Sequence, residues 1–287
     1  MTDVSAKRWL IAGAGGMLGA DLVAALEGRA VTALGRADLD VTDPAAVLAA
    51  VSGHDIVINA AAYTRVDDAE AHEADAYAVN AAGAANLAAA AKAAGAVLVQ
   101  VSTDYVFDGS ATSPYPEAQP TAPVSAYGRT KAEGERLALD VYLEGTIIVR
   151  TAWLYGRGGG NFVKTMARLA GEHPTVSVVT DQVGQPTWSH DLAERIVELV
   201  DTGTRSGVFH GTNSGQASWF EFAAAVFDDL GLGADRVLPT TADAFVRPAP
   251  RPAYSVLGHD AWASVGLGPM RDWRTALDEA LASGITA

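Results

Sequence analysis

Residues 8–19 read RWLIAGAGGMLG: an apolar run, then Gly13, Gly16 and Gly19 three apart, then a helical pattern. Strand, glycine-rich turn and helix in that order are the layout of a phosphate-binding turn in a dinucleotide-binding unit. One glycine allows the tight turn, another lets backbone approach a pyrophosphate, and another lets helix pack on strand. Met17, Leu18 and Gly19 open the helix, whose N-terminus then faces the phosphates. Glycines also simply make turns. The position of these between a predicted strand and a predicted helix favours the binding reading.

The same alternation extends outward. Apolar, β-branched runs at 8–14, 30–35, 55–61, 96–102 and 146–152 predict strands, each apolar on nearly every residue, as suits strands covered on both faces. Helical patterns at 17–28, 43–53, 74–95 and 125–139 lie between them, and Asp43-Pro44 is a capping residue followed by a first-turn proline. The order predicts an α/β fold with a doubly wound parallel sheet of Rossmann type. Beyond residue 155 the pattern loosens. A strand is expected at 175–181, helices at 189–203 and 218–232, a strand and turn at 208–215, a proline-rich piece at 246–257, and a last helix opened by Asp272. With no obvious linker, this second part is expected to interleave with the first.

Composition narrows the function. A chain of 287 residues, 49% hydrophobic, can bury a large core. Its 20 Lys and Arg against 34 Asp and Glu give a net charge of −14, which argues against nucleic acid or anionic membrane as partners. A phosphate-bearing ligand must then be held by local basic groups or helix ends. There are no cysteines, hence no thiol catalysis or disulfides, and the six His show no metal-ligand spacing, so no metal is expected. The N-terminal stretch lacks a signal core, and the longest apolar stretch is interrupted by Asn86, Lys92 and Gly95. The expected location is cytoplasmic.

Polar residues gather at the strand ends. The second strand ends in LGRADLD, with Gly35-Arg36 where an acidic residue would favour NAD. Arg36 either holds the 2′-phosphate of NADP or is a surface arginine. Asp38, Leu39 and Asp40 lie toward the adenine or merely form a loop. Ala60, Ala61 and Ala62 after the third strand leave room for a flat cofactor, or let helices pack closely. The fourth strand ends in VSTDYVFDG, bringing Ser102, Thr103, Asp104 and Tyr105 toward the crevice where open α/β sheets bind ligands, unless they only cap a turn. The stretch SAYGRTKAEG, 125–134, then sets Tyr127 and Lys131 one helical turn apart. Such pairs are common on solvated helices. Following a hydroxyl at the end of strand four, they complete a proton-transfer set. A nearby ammonium is expected to lower the phenol from its usual value of about 10. Tyr127 could then protonate a carbonyl oxygen, Thr103 could donate a second hydrogen bond, and Lys131 could reach the nicotinamide ribose.

These motifs resemble the extended short-chain dehydrogenase/reductases. More narrowly, NAAAYTRVDDAE, STDYVFDG, YGRTKAEGE, VRTAWLYG, NFVKTM, DQVGQPT and RPAYSVL resemble the dTDP-4-dehydrorhamnose reductase family over almost the whole chain. The resemblance implies NADPH-dependent reduction of the 4-keto group of a dTDP-6-deoxyhexose; Asp38 and Asp40, close in sequence to Arg36, add the expectation that NADH is accepted as a second cofactor. The resemblance also implies Thr103, Tyr127 and Lys131 as the catalytic set. Val66, Asp104, Tyr105 and Trp153 would line the sugar pocket, and Asn161, Phe162 and Lys164 would hold the nucleotide. Gln182, Gly184 and Pro186 would belong to a closing loop, and Arg251 would face the pyrophosphate. Residues 1–152 would be the NADP-binding Rossmann domain, rejoined by about 187–214, with 153–287 mainly the substrate-binding domain. Tyr254 stands where the family pattern has Asn. A homodimer is an expectation of the family, although the C-terminal DEALASGITA offers few acids for a metal bridge. A dehydratase would need a Glu where Tyr105 stands, and a 4-epimerase would show Ser-rich residues there. A regulatory subunit resembling that of methionine adenosyltransferase shares the Tyr and Lys and is the reading from another class.

Overall fold

The computed structural model describes residues 7–286; the first six residues of the expected Rossmann domain and Ala287 lie outside the described residues. Six parallel strands form the central sheet: β1 (Arg8–Ala12), β2 (Ala30–Leu34), β3 (Ile56–Asn59), β4 (Val97–Thr103), β5 (Thr146–Thr151) and β6 (Gly207–His210). Their order is β6-β5-β4-β3-β1-β2, so the chain starts near one edge, winds outward and then crosses back. The fold is a doubly wound α/β sheet.

Alternate side chains of a strand point to opposite faces, and here both faces are covered. Trp9 and Ile11 point into a core shared with α1 (Met17–Ala25) and α6 (Ser189–Asp201). Leu10 and Ala12 point into another, shared with α2 (Pro44–Val51), α3 (Gly83–Ala94) and α4 (Ala126–Tyr142). This explains the continuous apolar runs. β2 departs from the expectation: as the edge strand it leaves Ala30, Thr32 and Ala33 exposed.

A third core gathers α5 (Phe162–Glu172), α7 (Trp219–Asp229) and α8 (Trp273–Ala282) around Phe222, Val226 and Leu277. A two-stranded parallel sheet, Val176–Val179 with Val237–Thr240, flanks it. Among the described residues, no helix is long and apolar enough to cross a membrane.

The single helix expected over 74–95 is broken. A helix at Glu73–Tyr77 passes through a π-helical turn, Ala78–Ala82, into α3. A π-turn inserts an extra residue, and here it delivers Asn80 to tertiary partners. The Asn80 amide donates to Thr130 Oγ1 at 3.0 Å and to the Tyr63 carbonyl at 3.1 Å, while its oxygen accepts from the Tyr63 N–H at 2.8 Å. α4 rests against this turn through Gly134, where a Cβ would stand 2.1 Å from the Asn80 carbonyl oxygen.

Candidate active site

The glycine turn is built as its sequence suggests. Gly13 has φ +86°, and a Cβ there would lie 2.5 Å from the Ala61 amide nitrogen, so β3's exit and the turn share one narrow space. The Gly13 and Ala14 N–H groups both donate to the Leu34 carbonyl, tying the turn to the end of β2. Gly19 lies against Ala14, where a Cβ would come within 2.7 Å of the Ala14 Cα. Gly16 is the N-cap of α1, and no side chain caps that end. An uncapped helix start beside a glycine turn suits an anionic pyrophosphate. Ala60, Ala61 and Ala62 are half-buried next to it. Leu18 and Leu39 sit in the core. Arg36 is exposed at the tip of β2, and Asp38 bends back to accept from the Gly35 N–H at 2.9 Å. Asp40 similarly accepts from Thr42.

At the carboxyl end of β4, Thr103 is buried and donates to Asp104 Oδ1 at 2.9 Å. Among the described residues no hydrogen bond reaches Asp104 Oδ2, and burial pushes its carboxyl up to about 6 against the pull of the nearby Ser255 and Thr103 hydroxyls. Ser125 caps α4 by accepting from the Gly128 N–H, so the helix starts beside the β4 exit. Tyr127 is buried, with the Tyr105 ring edge-on to it, centroids 5.6 Å apart. Lys131 is buried one turn on, with Nζ donating to the Val101 carbonyl of β4 at 2.7 Å. Thr103, Tyr127 and Lys131 are thus brought together.

The electrostatics correct one expectation. Burial pushes the Tyr127 phenol up to about 12; the Thr103 hydroxyl pulls it down and the Asp104 carboxylate pushes it up. The same burial draws Lys131 down to about 8, with Glu135 opposing. Desolvation is the largest influence on both groups, so the expected lowering of the phenol does not occur. At neutral pH Tyr127 holds its proton, the state a donor needs.

A cavity of about 610 Å³ opens next to this cluster. Tyr105, Phe162, Gln182 and Arg251 line it, as do Trp219, Phe245 and Arg247, which the sequence reading did not single out. The other expected substrate residues serve its surroundings. Trp153 has φ +48° and stacks on Trp219 with ring centroids 3.6 Å apart. Asn161 is the N-cap of α5, accepting from the Lys164 N–H and donating to the Gly156 carbonyl. Lys164 turns Nζ onto the Arg157 carbonyl at 2.6 Å. Val66 packs beside Tyr127, and Pro186 is buried. Arg251 donates to Asp67 Oδ2 at 2.8 Å and to the Ala249 carbonyl at 3.1 Å. Trp219 is brought here by the antiparallel pairing of Ala217 with Gly184, a contact no local pattern announces.

A Cβ on Gly184 would lie 2.5 Å from the Trp153 ring. Gly184→Ala is therefore expected to destabilise the protein by about 1–3 kcal/mol, the usual cost of forced overpacking. Urea unfolding checks this; an unchanged midpoint would mean that the ring moves freely.

A glycine turn at an uncapped helix, with Thr, Tyr and Lys converging at the end of β4, defines a Rossmann fold of the short-chain dehydrogenase/reductase type. A family model described as the RmlD substrate binding domain matches residues 7–285. A dTDP-4-keto-6-deoxy-D-glucose reductase of Streptomyces niveus is 51% identical, over 98% of this chain and 97% of that protein. A dTDP-4-dehydrorhamnose reductase of Streptomyces griseus is also 51% identical, over 97% and 94%. The solved dTDP-4-dehydrorhamnose reductase of Bacillus anthracis, in complex with NADP, superposes with a TM-score of 0.92 at 38% identity, over 97% of this chain and 99% of that one. The chain belongs to the dTDP-4-dehydrorhamnose reductase family.

Proposed function

We propose that this protein reduces the 4-keto group of a dTDP-4-keto-6-deoxyhexose, dTDP-4-dehydrorhamnose or a related sugar nucleotide, with NADPH. The observation that carries this reading is the buried trio of Thr103, Tyr127 and Lys131 at the end of β4, beside a cavity walled by Tyr105 and two arginines. The relatives' activities and the NADP complex of a solved relative support it.

Bound NADPH supplies a hydride to the carbonyl carbon. Tyr127 gives the carbonyl oxygen its proton, and the Thr103 hydroxyl steadies that oxygen as charge develops. Lys131 can exchange its bond to the Val101 carbonyl for the ribose hydroxyls. The glycine turn and the α1 N-terminus take the pyrophosphate of the cofactor. Aromatic walls at Phe162 and Trp219 suit a flat base, and Arg251 suits a diphosphate. The remaining sugar-side roles given above to Val66, Asp104, Trp153 and the 182–186 loop belong to the same proposal. So does the division into a cofactor domain at 1–152 rejoined by 187–214, and a substrate domain over most of 153–287.

The test is incubation with NADPH and a set of dTDP-4-keto-6-deoxyhexoses, with products identified by NMR. A 4-hydroxy product formed with equal NADPH loss is expected. No NADPH oxidation with any of them would overturn the reading and favour a binding subunit.

Cofactor choice follows from the tip of β2. Asp38 is committed to the Gly35 N–H, and Arg36 stands exposed. NADPH is expected to exceed NADH in kcat/KM, with NADH still used. Arg36→Ala should weaken NADPH use about two- to fivefold, the size of an exposed charge contact, and leave NADH nearly unchanged. Equal loss with both cofactors, or none, would make Arg36 a surface residue.

A further inference from the structure

Asp67 lies in the short helix Val66–Ala69, more than 170 residues away in sequence from the groups it holds. Its Oδ1 accepts from the Ala249 N–H at 3.2 Å. Its Oδ2 takes Arg251 Nη2 at 2.8 Å and stands 3.5 Å from Arg247 Nη1. Both arginines line the cavity, and one carboxylate oxygen serves both. The segment they belong to, 242–251, supplies Ala242, Phe245, Ala249 and Pro250 to the cavity wall as well. It has no regular structure longer than the single 3₁₀ turn Ala242–Ala244. Its far end is held by another carboxylate, Asp181, which accepts from the Ala242 N–H. Val246, at its crest, is 97% exposed. The wall is therefore pinned near both ends by carboxylates, with Ala249 buried beside Asp67.

We propose that Asp67 is a built-in stand-in for a diphosphate: it occupies Arg247 and Arg251 in the free protein, and the diphosphate of the incoming nucleotide displaces it. The inference rests on the sugar-nucleotide reading above and names how that site is gated. Two guanidinium groups share one carboxylate, so the pair carries surplus positive charge that a dianion can match and Asp67 cannot. The carboxylate and a diphosphate would repel each other across the same two arginines. Asp67 is available in charged form: burial raises its carboxyl, but the hydrogen bonds from Ala249 and Arg251 and the charges of Arg251 and Arg247 together outweigh that and hold it below the usual range. Release of Asp67 frees one end of the wall, so binding and opening of the segment are one event. The exchange also explains how a chain with net charge −14 can admit an anion without leaving bare cations on its surface.

Binding of dTDP and of inorganic pyrophosphate, followed by calorimetry, tests this. Asp67→Asn keeps the shape and removes the competitor. It should bind dTDP roughly three- to tenfold more tightly than wild type, with unchanged NADPH affinity, because an ion pair no longer has to be broken. Where dTDP binds, weaker or equal affinity in the variant overturns the proposal and leaves Asp67 as a support for Arg251. Wild type alone provides a second measurement. Exchange of one ion-pair set for another predicts a shallow dependence of dTDP affinity on salt; a steep dependence overturns the exchange. Pyrophosphate bound more tightly by the variant, with no response to dTDP in either protein, would remove the sugar-nucleotide reading and retain the latch.

Discussion

Tyr127→Phe is expected to leave NADPH affinity intact while turnover falls by about 10²–10⁴, the contribution of a positioned proton donor. The substitution removes one oxygen and preserves the ring. That ring packs with Ala69, Ala76 and Ala126 and meets the edge of Tyr105, so the fold should hold. Loss confined to kcat would separate the proton donor from a residue that merely shapes the pocket. Because burial pushes the phenol up to about 12, it stays protonated through the neutral range. Lys131, drawn down to about 8, is the group whose charge changes just above that range. Activity that needs its ammonium form should therefore decline as pH rises through 8, in wild type, while Tyr127 still carries its proton. A Phe variant as fast as wild type would rule out Tyr127 as the donor.

Glu135→Gln is expected to cost about 3–5 kcal/mol of stability, the penalty for leaving a buried charge without its partner. Glu135 sits one turn beyond Lys131 on α4, and takes Arg150 Nη2 at 2.7 Å and Nε at 3.0 Å. Both side chains are nearly inaccessible, at 5% and 6% exposure. Arg150 stands on β5 opposite Ser102 in the β4 register, so the pair fastens the helix of Tyr127 to β5, the strand that pairs with the strand of Thr103. Among the described residues, the other contacts of Arg150 are the Glu117 carbonyl, the Phe107 ring and His210, which burial keeps neutral, and none of them carries a negative charge. Replacing both residues by apolar ones, Glu135→Leu with Arg150→Met, should recover much of the loss. Urea unfolding measures each step. A single variant within about 1 kcal/mol of wild type would mean that water reaches the pair, a surface-like value.

Much of this was legible in the chain. Strand runs, turn glycines and the spacing of Tyr127 and Lys131 are local, and local patterns survive into structure because packing reinforces them. Strand ends shifted by a residue or two, as when Gly13 and Ala14 left β1 for the turn. The edge position of β2 was hidden because the order of strands is a tertiary fact. Nothing in an Ala-rich stretch announces a π-turn; it exists because Asn80 finds Tyr63 and Thr130. The depth of burial that raises the Tyr127 phenol was likewise not a sequence property. Trp219 fell inside the helix expected over 218–232 without being singled out, and its stack with Trp153 depends on the pairing of Ala217 with Gly184. Asp67 and Arg251 meet across 184 residues.

The route of the chain between its cores has a consequence for how such proteins can be cut and recombined. After β5 it enters the core of Tyr155 and Val163, returns for α6 and β6, leaves again for α7, comes back at Trp262 and ends in α8. A fragment stopped at residue 152 would lack β6 and would expose the sheet face that Leu192, Ile196 and Phe209 cover. The half that supplies Phe162 and Trp219 to the cavity is equally discontinuous. Exchanging pockets between relatives therefore requires at least two grafted segments, with matched junctions on either side of α6 and β6. A single crossover in the gene would join halves whose buried surfaces have no counterpart, so specificity in this architecture is more readily altered by point substitution than by trading whole modules.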